Sequence, residues 1–84
     1  MVNEHVVATG FDDGEGVLVD LETKRYYRLN ETAMLVWRNL EENAPFEEIV
    51  RQMMDTYDVG LEQATASVRR LLGQLESYKL AQAR

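Results

Sequence analysis

The chain has no cysteine, one histidine and one proline. Without cysteine there are no disulfides and no thiolate metal sites, a composition that suits a reducing cytoplasm, where the protein is expected to reside. Basic residues are also scarce: nine Lys and Arg against fifteen Asp and Glu leave a formal net charge of −6. Nucleic-acid binders draw most of their affinity from phosphates neutralised by Lys and Arg. Anionic membrane surfaces disfavour the same negative sign. No nucleic acid and no membrane is therefore expected among the partners. No apolar run approaches the roughly 20 residues that span a bilayer, and MVNEHVVATG lacks the basic segment and apolar run of a secretory signal.

Catalytic motifs are missing too. Acid–base chemistry needs a group that titrates near neutrality, and the lone His5 sits in an N-terminal segment expected to be frayed. Asp12-Asp13-Gly14-Glu15 has carboxylates without calcium-loop spacing, so a solvated turn is expected and no metal. Gly14 and Gly16 are too short a pattern for a phosphate cradle, and no GK[ST] follows. Ser67 and Ser77 have no histidine in a local arrangement with them. A non-catalytic protein without cofactor is expected, leaving a protein or peptide as the favoured partner.

What is present is a pattern of short strands followed by helices. Hydrophobic residues make up 45% of the 84 and charged residues 29%, enough for one folded domain over residues 1–84. Residues 2–9, with Val6-Val7-Ala8, read as a first strand, and Phe11 to Gly16 as a turn. GVLVDLE alternates Val17, Val19 and Leu21 against Leu18 and Asp20 as a second strand. After Glu22-Thr23-Lys24, RYYRLN completes a hairpin with Tyr27 and Leu29 on one face and Tyr26 and Arg28 on the other.

Asn30 is suited to cap the next helix, and Glu31 favours its positive end. Ala33, Val36, Trp37 and Leu40 recur at helical spacing to about Glu42, then Asn43-Ala44-Pro45 breaks the chain. Pro45 suits the first position of a second helix, Phe46 to Tyr57, with Phe46, Ile49, Val50, Met53 and Met54 apolar. A third helix is expected from Leu61 to about Leu80. The order βββααα predicts an α+β, winged-helix-like domain with a three-stranded antiparallel sheet.

Two features suggest a binding cleft. On the third helix Leu61, Ala64, Val68, Leu71 and Leu75 form a core stripe, and Leu72 lies roughly 65° off its centre at about 100° per residue. Thr65 shares that flank, with Arg69 and Glu76 further out, giving either a groove wall or a broad core stripe. The third strand ends its hairpin, so its outer backbone groups are free to take an added strand. Equally, Tyr26 and Arg28 serve as cross-strand pairs that guard the edge.

GEGVLVDLETKRYYRLNETAMLVW and FEEIVRQMMDTYDVGLEQATASVRRLLGQLE resemble the PqqD-like family, precursor-recognition elements of ribosomal peptide biosynthesis, over about residues 14–80. The signature is L-V-D-L-x-x-x-x-Y-Y-x-L-N joined to E-T-A-x-x-x-W, followed by E-E-I-V and Y-D-V. Gly60 stands where many relatives have a polar cap, and Ser67 where many have an acidic residue. The resemblance implies a non-catalytic adaptor that holds a precursor's leader as an added strand between third strand and third helix. It implies a strand wall of Arg25, Tyr26, Tyr27, Arg28 and Leu29. Val68, Arg69, Leu72 and Glu76 would supply the helix wall, with Thr65 beside them. The Y-Y-x-L-N strand is most similar to stand-alone leader-binding proteins of lasso-peptide pathways, which work with a leader peptidase and a cyclase. The other branch serves a radical-SAM enzyme. A winged-helix regulator of nucleic acid would need a basic helix, and the second helix carries only Arg51 against Glu47, Glu48 and Asp55.

Overall fold

Three antiparallel strands, β1 (Val6–Gly10), β2 (Gly16–Asp20) and β3 (Arg25–Leu29), lie side by side in chain order in the computed structural model, which describes residues 2–81. Helices α1 (Glu31–Glu41), α2 (Phe46–Tyr57) and α3 (Leu61–Ser77) cover one face of the sheet, giving the expected βββααα order of an α+β fold. The register pairs Leu18 with Tyr27 and Val19 with Tyr26. Leu18 and Asp20 point inward, fully buried, whereas Val17 and Val19 are only half-buried and Leu21 is exposed.

The first strand begins at Val6 and not near residue 2, because Val2 bridges to Ala81 and Val6 N–H closes a turn on the Asn3 carbonyl (3.2 Å). At the other end of the hairpin, Asp20 Oδ1 accepts from the backbone N–H of Glu22 (2.9 Å) and Thr23 (3.2 Å). This side-chain turn halts β2 before Leu21, and Lys24 then takes a left-handed conformation (φ 64) to launch β3.

Asn30 caps α1 as expected, its Oδ1 accepting from Ala33 N–H (3.0 Å) and from the Thr32 hydroxyl (2.9 Å). With no loop between β3 and α1, the cap sets the angle at which the strand turns into the helix. Pro45 precedes α2 as its cap and not as its first residue; its carbonyl accepts from Glu48 and Ile49. α3 stops at Ser77, short of the expected Leu80. Leu80 N–H bonds to the Leu75 carbonyl and Lys79 N–H to that of Glu76, a Schellman closure with Lys79 left-handed (φ 60) where glycine is usual.

Leu18, Val36, Trp37 and Val68 are fully enclosed, joined by Ile49 and Met53 from α2 and by Ala64 and Leu75 from α3. Each large side chain of this kind contributes about 1.5–3 kcal/mol on burial. Met34, unremarked in the helical pattern, is also buried, because Gly16 leaves room for it. A Cβ at Gly16 would sit 2.7 Å from Met34 Sδ and from the Thr9 carbonyl. Leu61 was placed in the core stripe by periodicity but is 64% exposed. It is the first residue of α3, and angular position on a helix says nothing of whether a neighbour reaches that end. Asn39 Nδ2 ties α1 to α2, donating to Leu35 O (2.8 Å) and Gln52 Oε1 (3.1 Å).

Candidate functional site

Among the described residues no strand pairs with the outer edge of β3, and that edge has a definite backbone parity. Leu21 N–H donates to the His5 carbonyl (2.9 Å) and Phe11 N–H to that of Glu15 (2.7 Å), so odd-numbered residues beside and within β2 bond toward β1. The even residues Gly16, Leu18 and Asp20 therefore bond toward β3, where they face Leu29, Tyr27 and Arg25. By alternation, the N–H and C=O groups of Tyr26 and Arg28 point out of the sheet along the open edge.

Between this edge and α3 lies a cavity of about 370 Å³. Tyr26, Tyr27, Arg28 and Leu29 form its strand wall, and Leu71, Gln74, Leu75 and Tyr78 its helix wall. Ala33 of α1 and Leu80 complete the lining. The rings of Tyr27 and Tyr78 meet with centroids 5.1 Å apart and planes tilted by 47°, joining the two walls. Tyr26, 76% exposed, and Tyr78, 56% exposed, stand at the mouth. Among the described residues Arg28 is the one charged residue in the lining, and its guanidinium reaches Glu15 at 3.1 Å. The site is thus an apolar trough with open main-chain donors and acceptors along one lip. That arrangement can hold an extended peptide; it offers no nucleophile with a base beside it.

Of the residues expected in the strand wall, Tyr26, Tyr27, Arg28 and Leu29 line the cavity, with Tyr27 and Leu29 half-buried and Tyr26 and Arg28 exposed. Arg25 lies at the start of β3, exposed and outside the cavity lining. None of the residues expected in the helix wall lines this cavity. Thr65 and Arg69 line a separate shallow hollow with Leu61, Glu62 and Ala66, and the Arg69 guanidinium lies 5.7 Å over the Phe46 ring of α2. Val68 is sealed in the core, Leu72 is half-buried against it, and Glu76 lines another hollow beyond Tyr78. At about 100° per residue, Ser67, Gln74 and Tyr78 occupy the flank opposite to Thr65, Leu72 and Glu76. A helical projection shows two flanks symmetrically and cannot tell which meets the sheet. Here α2 occupies the flank that the sequence reading chose. The one signal for the other side was Tyr78, an aromatic residue at the end of the helical run.

His5 is anchored, not frayed: its Nε2 lies 3.6 Å from Asp20 Oδ1 and its Nδ1 3.8 Å from Glu22 Oε2. Burial pulls the Asp20 carboxyl upward, but the N–H groups of Thr23 and Glu22, with His5, outweigh it and hold the group below 3.8. On the other side of the molecule burial, helped by the Glu31 carboxylate, holds the Tyr57 phenol above 10.0. Among the described residues no three His or carboxylate side chains converge as metal ligands, and no helix is long and apolar enough to cross a membrane.

The family model described as Coenzyme PQQ synthesis protein D (PqqD) matches residues 15–81. Among solved structures, TbiB1 in complex with the TbiA(beta) leader peptide is similar at 30% identity and a TM-score of 0.89, over 99% of this chain and 95% of that one. A lasso peptide synthetase B1 complexed with the leader peptide has the same fold at 22% identity and a TM-score of 0.86, over 99% and 96% of the two chains. No curated protein sequence matches at a significant level.

Proposed function

The chain belongs to the PqqD family, and on that footing we propose that it is a non-catalytic adaptor for the leader segment of a ribosomally made precursor peptide. The observation that carries this reading is the open β3 edge beside an apolar cavity. The leader adds as a fourth strand, bonding through its main chain to Tyr26 and Arg28. Side chains opposite each other in adjacent strands share a face. Leader residues opposite Tyr27 and Leu29 therefore turn inward toward the cavity, while those opposite Tyr26 and Arg28 stay outside. Main-chain bonds supply affinity that tolerates sequence, and the cavity supplies selection.

The TbiB1 structure, at 30% identity, holds a leader peptide, and the Y-Y-x-L-N strand makes the lasso branch the preferred one. In that setting the adaptor presents the leader to a peptidase, ahead of a cyclase, in the cytoplasm. The alternative is the branch of the family that serves a radical-SAM enzyme. Leader binding itself is common to both; the enzyme stimulated by the adaptor separates them.

The direct test is titration of isotope-labelled protein with the leader of the precursor encoded beside this gene. The expected affinity is micromolar or tighter, on the order of −8 kcal/mol. Amide shifts should concentrate at Tyr26–Leu29 and Leu71–Tyr78. Saturable binding with no shifts in those segments would remove the cleft assignment.

A further inference from the structure

We propose that residues Val2–His5 form a clasp that holds Tyr78 in place and thereby sets the width of the cleft, with Asn3 as its positioning residue. This rests on the peptide-binding reading above for its consequence, though not for its geometry. The helix wall of the cleft ends in a segment that α3 does not contain. Tyr78 follows the last helical residue, Lys79 is left-handed, and Leu80 is buried at the back of the cavity.

The helix closure uses the N–H groups of Lys79 and Leu80, leaving their carbonyls to be bonded from elsewhere. Asn3 takes both. Its backbone N–H donates to the Leu80 carbonyl (3.1 Å), and its side-chain amide donates to that of Lys79. Val2 adds a bridge to Ala81. The clasp is fixed at its far end by the sheet, where the His5 carbonyl accepts from Leu21 and the Asn3 carbonyl from Val6.

Tyr78 lies between two spaces. It lines the peptide cavity on one side and, on the other, a hollow of about 540 Å³ that Asn3 and His5 also line. Asn3 and Tyr78 thus share that hollow, while the Tyr78 ring meets Tyr27 across the cleft. If the Lys79 carbonyl loses the Asn3 side-chain amide, the turn relaxes toward that hollow and the ring pair opens.

The test compares Asn3→Ala with Ile49→Val, a core change remote from the cleft, using two readouts at a temperature where both variants are folded. The first is Kd for two synthetic probes, the leader encoded beside this gene and the TbiA(beta) leader. The second is the ring resonances of Tyr27 and Tyr78 in the peptide-free protein. Asn3→Ala should raise Kd about 3- to 10-fold, the scale of one lost hydrogen bond, and shift both rings. Asn3→Ser, which retains a donor, should fall between it and wild type. Ile49→Val should lower the thermal midpoint without changing either readout. Wild-type ring shifts in Asn3→Ala would overturn the clasp, as would an equal rise in Kd for Ile49→Val. If the wild type bound neither leader, the peptide reading would fail, and the peptide-free ring shifts would still decide the clasp.

Discussion

A proline in place of Arg28 separates main-chain docking from every other role of that residue. The parity of β3 directs the Arg28 N–H outward, so Arg28→Pro removes no bond to β2. Edge strands tolerate proline at such positions. The substitution also deletes the exposed ion pair with Glu15, worth about 0–1 kcal/mol, but Arg28→Ala deletes it equally. The difference between the two variants therefore isolates the donor and the space its ring would occupy. One lost hydrogen bond, with the peptide carbonyl left poorly satisfied, costs about 1–3 kcal/mol. Arg28→Pro should bind the leader roughly 5- to 100-fold more weakly than Arg28→Ala. Calorimetry gives the two affinities, and thermal melts monitored by circular dichroism show whether both are folded. Tyr27→Pro is the structural control: its N–H faces β2, so it should lose about 3 kcal/mol of stability or more. Equal leader affinities for folded Arg28→Pro and Arg28→Ala would refute strand addition at this edge.

Substitutions along α3 test which flank forms the cleft. Tyr78→Ala and Gln74→Ala should weaken leader binding several-fold, on the order of 1 kcal/mol, whereas Thr65→Ala and Arg69→Ala should leave it unchanged in the same titration. The glycines differ in sign. Gly16→Ala, crowding Met34, should destabilise by about 1–3 kcal/mol, while Gly73→Ala, in open space within α3, should stabilise by about 0.5–1 kcal/mol, both read from denaturant midpoints. Acid should weaken the hairpin through Asp20. Because its folded-state value lies below 3.8, its contribution is complete above that pH and disappears as pH falls through the lowered value. Urea midpoints between pH 5 and 2 should fall more steeply for the wild type than for Asp20→Asn; parallel curves would contradict that assignment.

Local chemistry was legible wherever it is local in cause. Asn30 announces a cap because only its short side chain and the next turn are involved, and the alternation of Tyr26, Tyr27, Arg28 and Leu29 fixes which of them share a face. The family signature lies in the same stretch. Endings set by distant partners were not legible. β1 starts late because Val2 and Asn3 are engaged by the far end of the chain, and α3 stops at Ser77 through a left-handed lysine that carries no glycine to signal it. Asp20 reads as a strand residue, yet it is buried and bonds the turn that follows.

The amino-acid sequence by itself determined the βββααα order and which residues of β3 share a face. Periodicity, caps and composition act over a few residues and need no knowledge of packing. Tertiary structure alone decided which flank of α3 faces β3, because a helix with an apolar stripe has two equivalent borders until its neighbours are placed. With Arg69 over Phe46 of α2, the border that lines the cavity is Leu71, Gln74 and Tyr78.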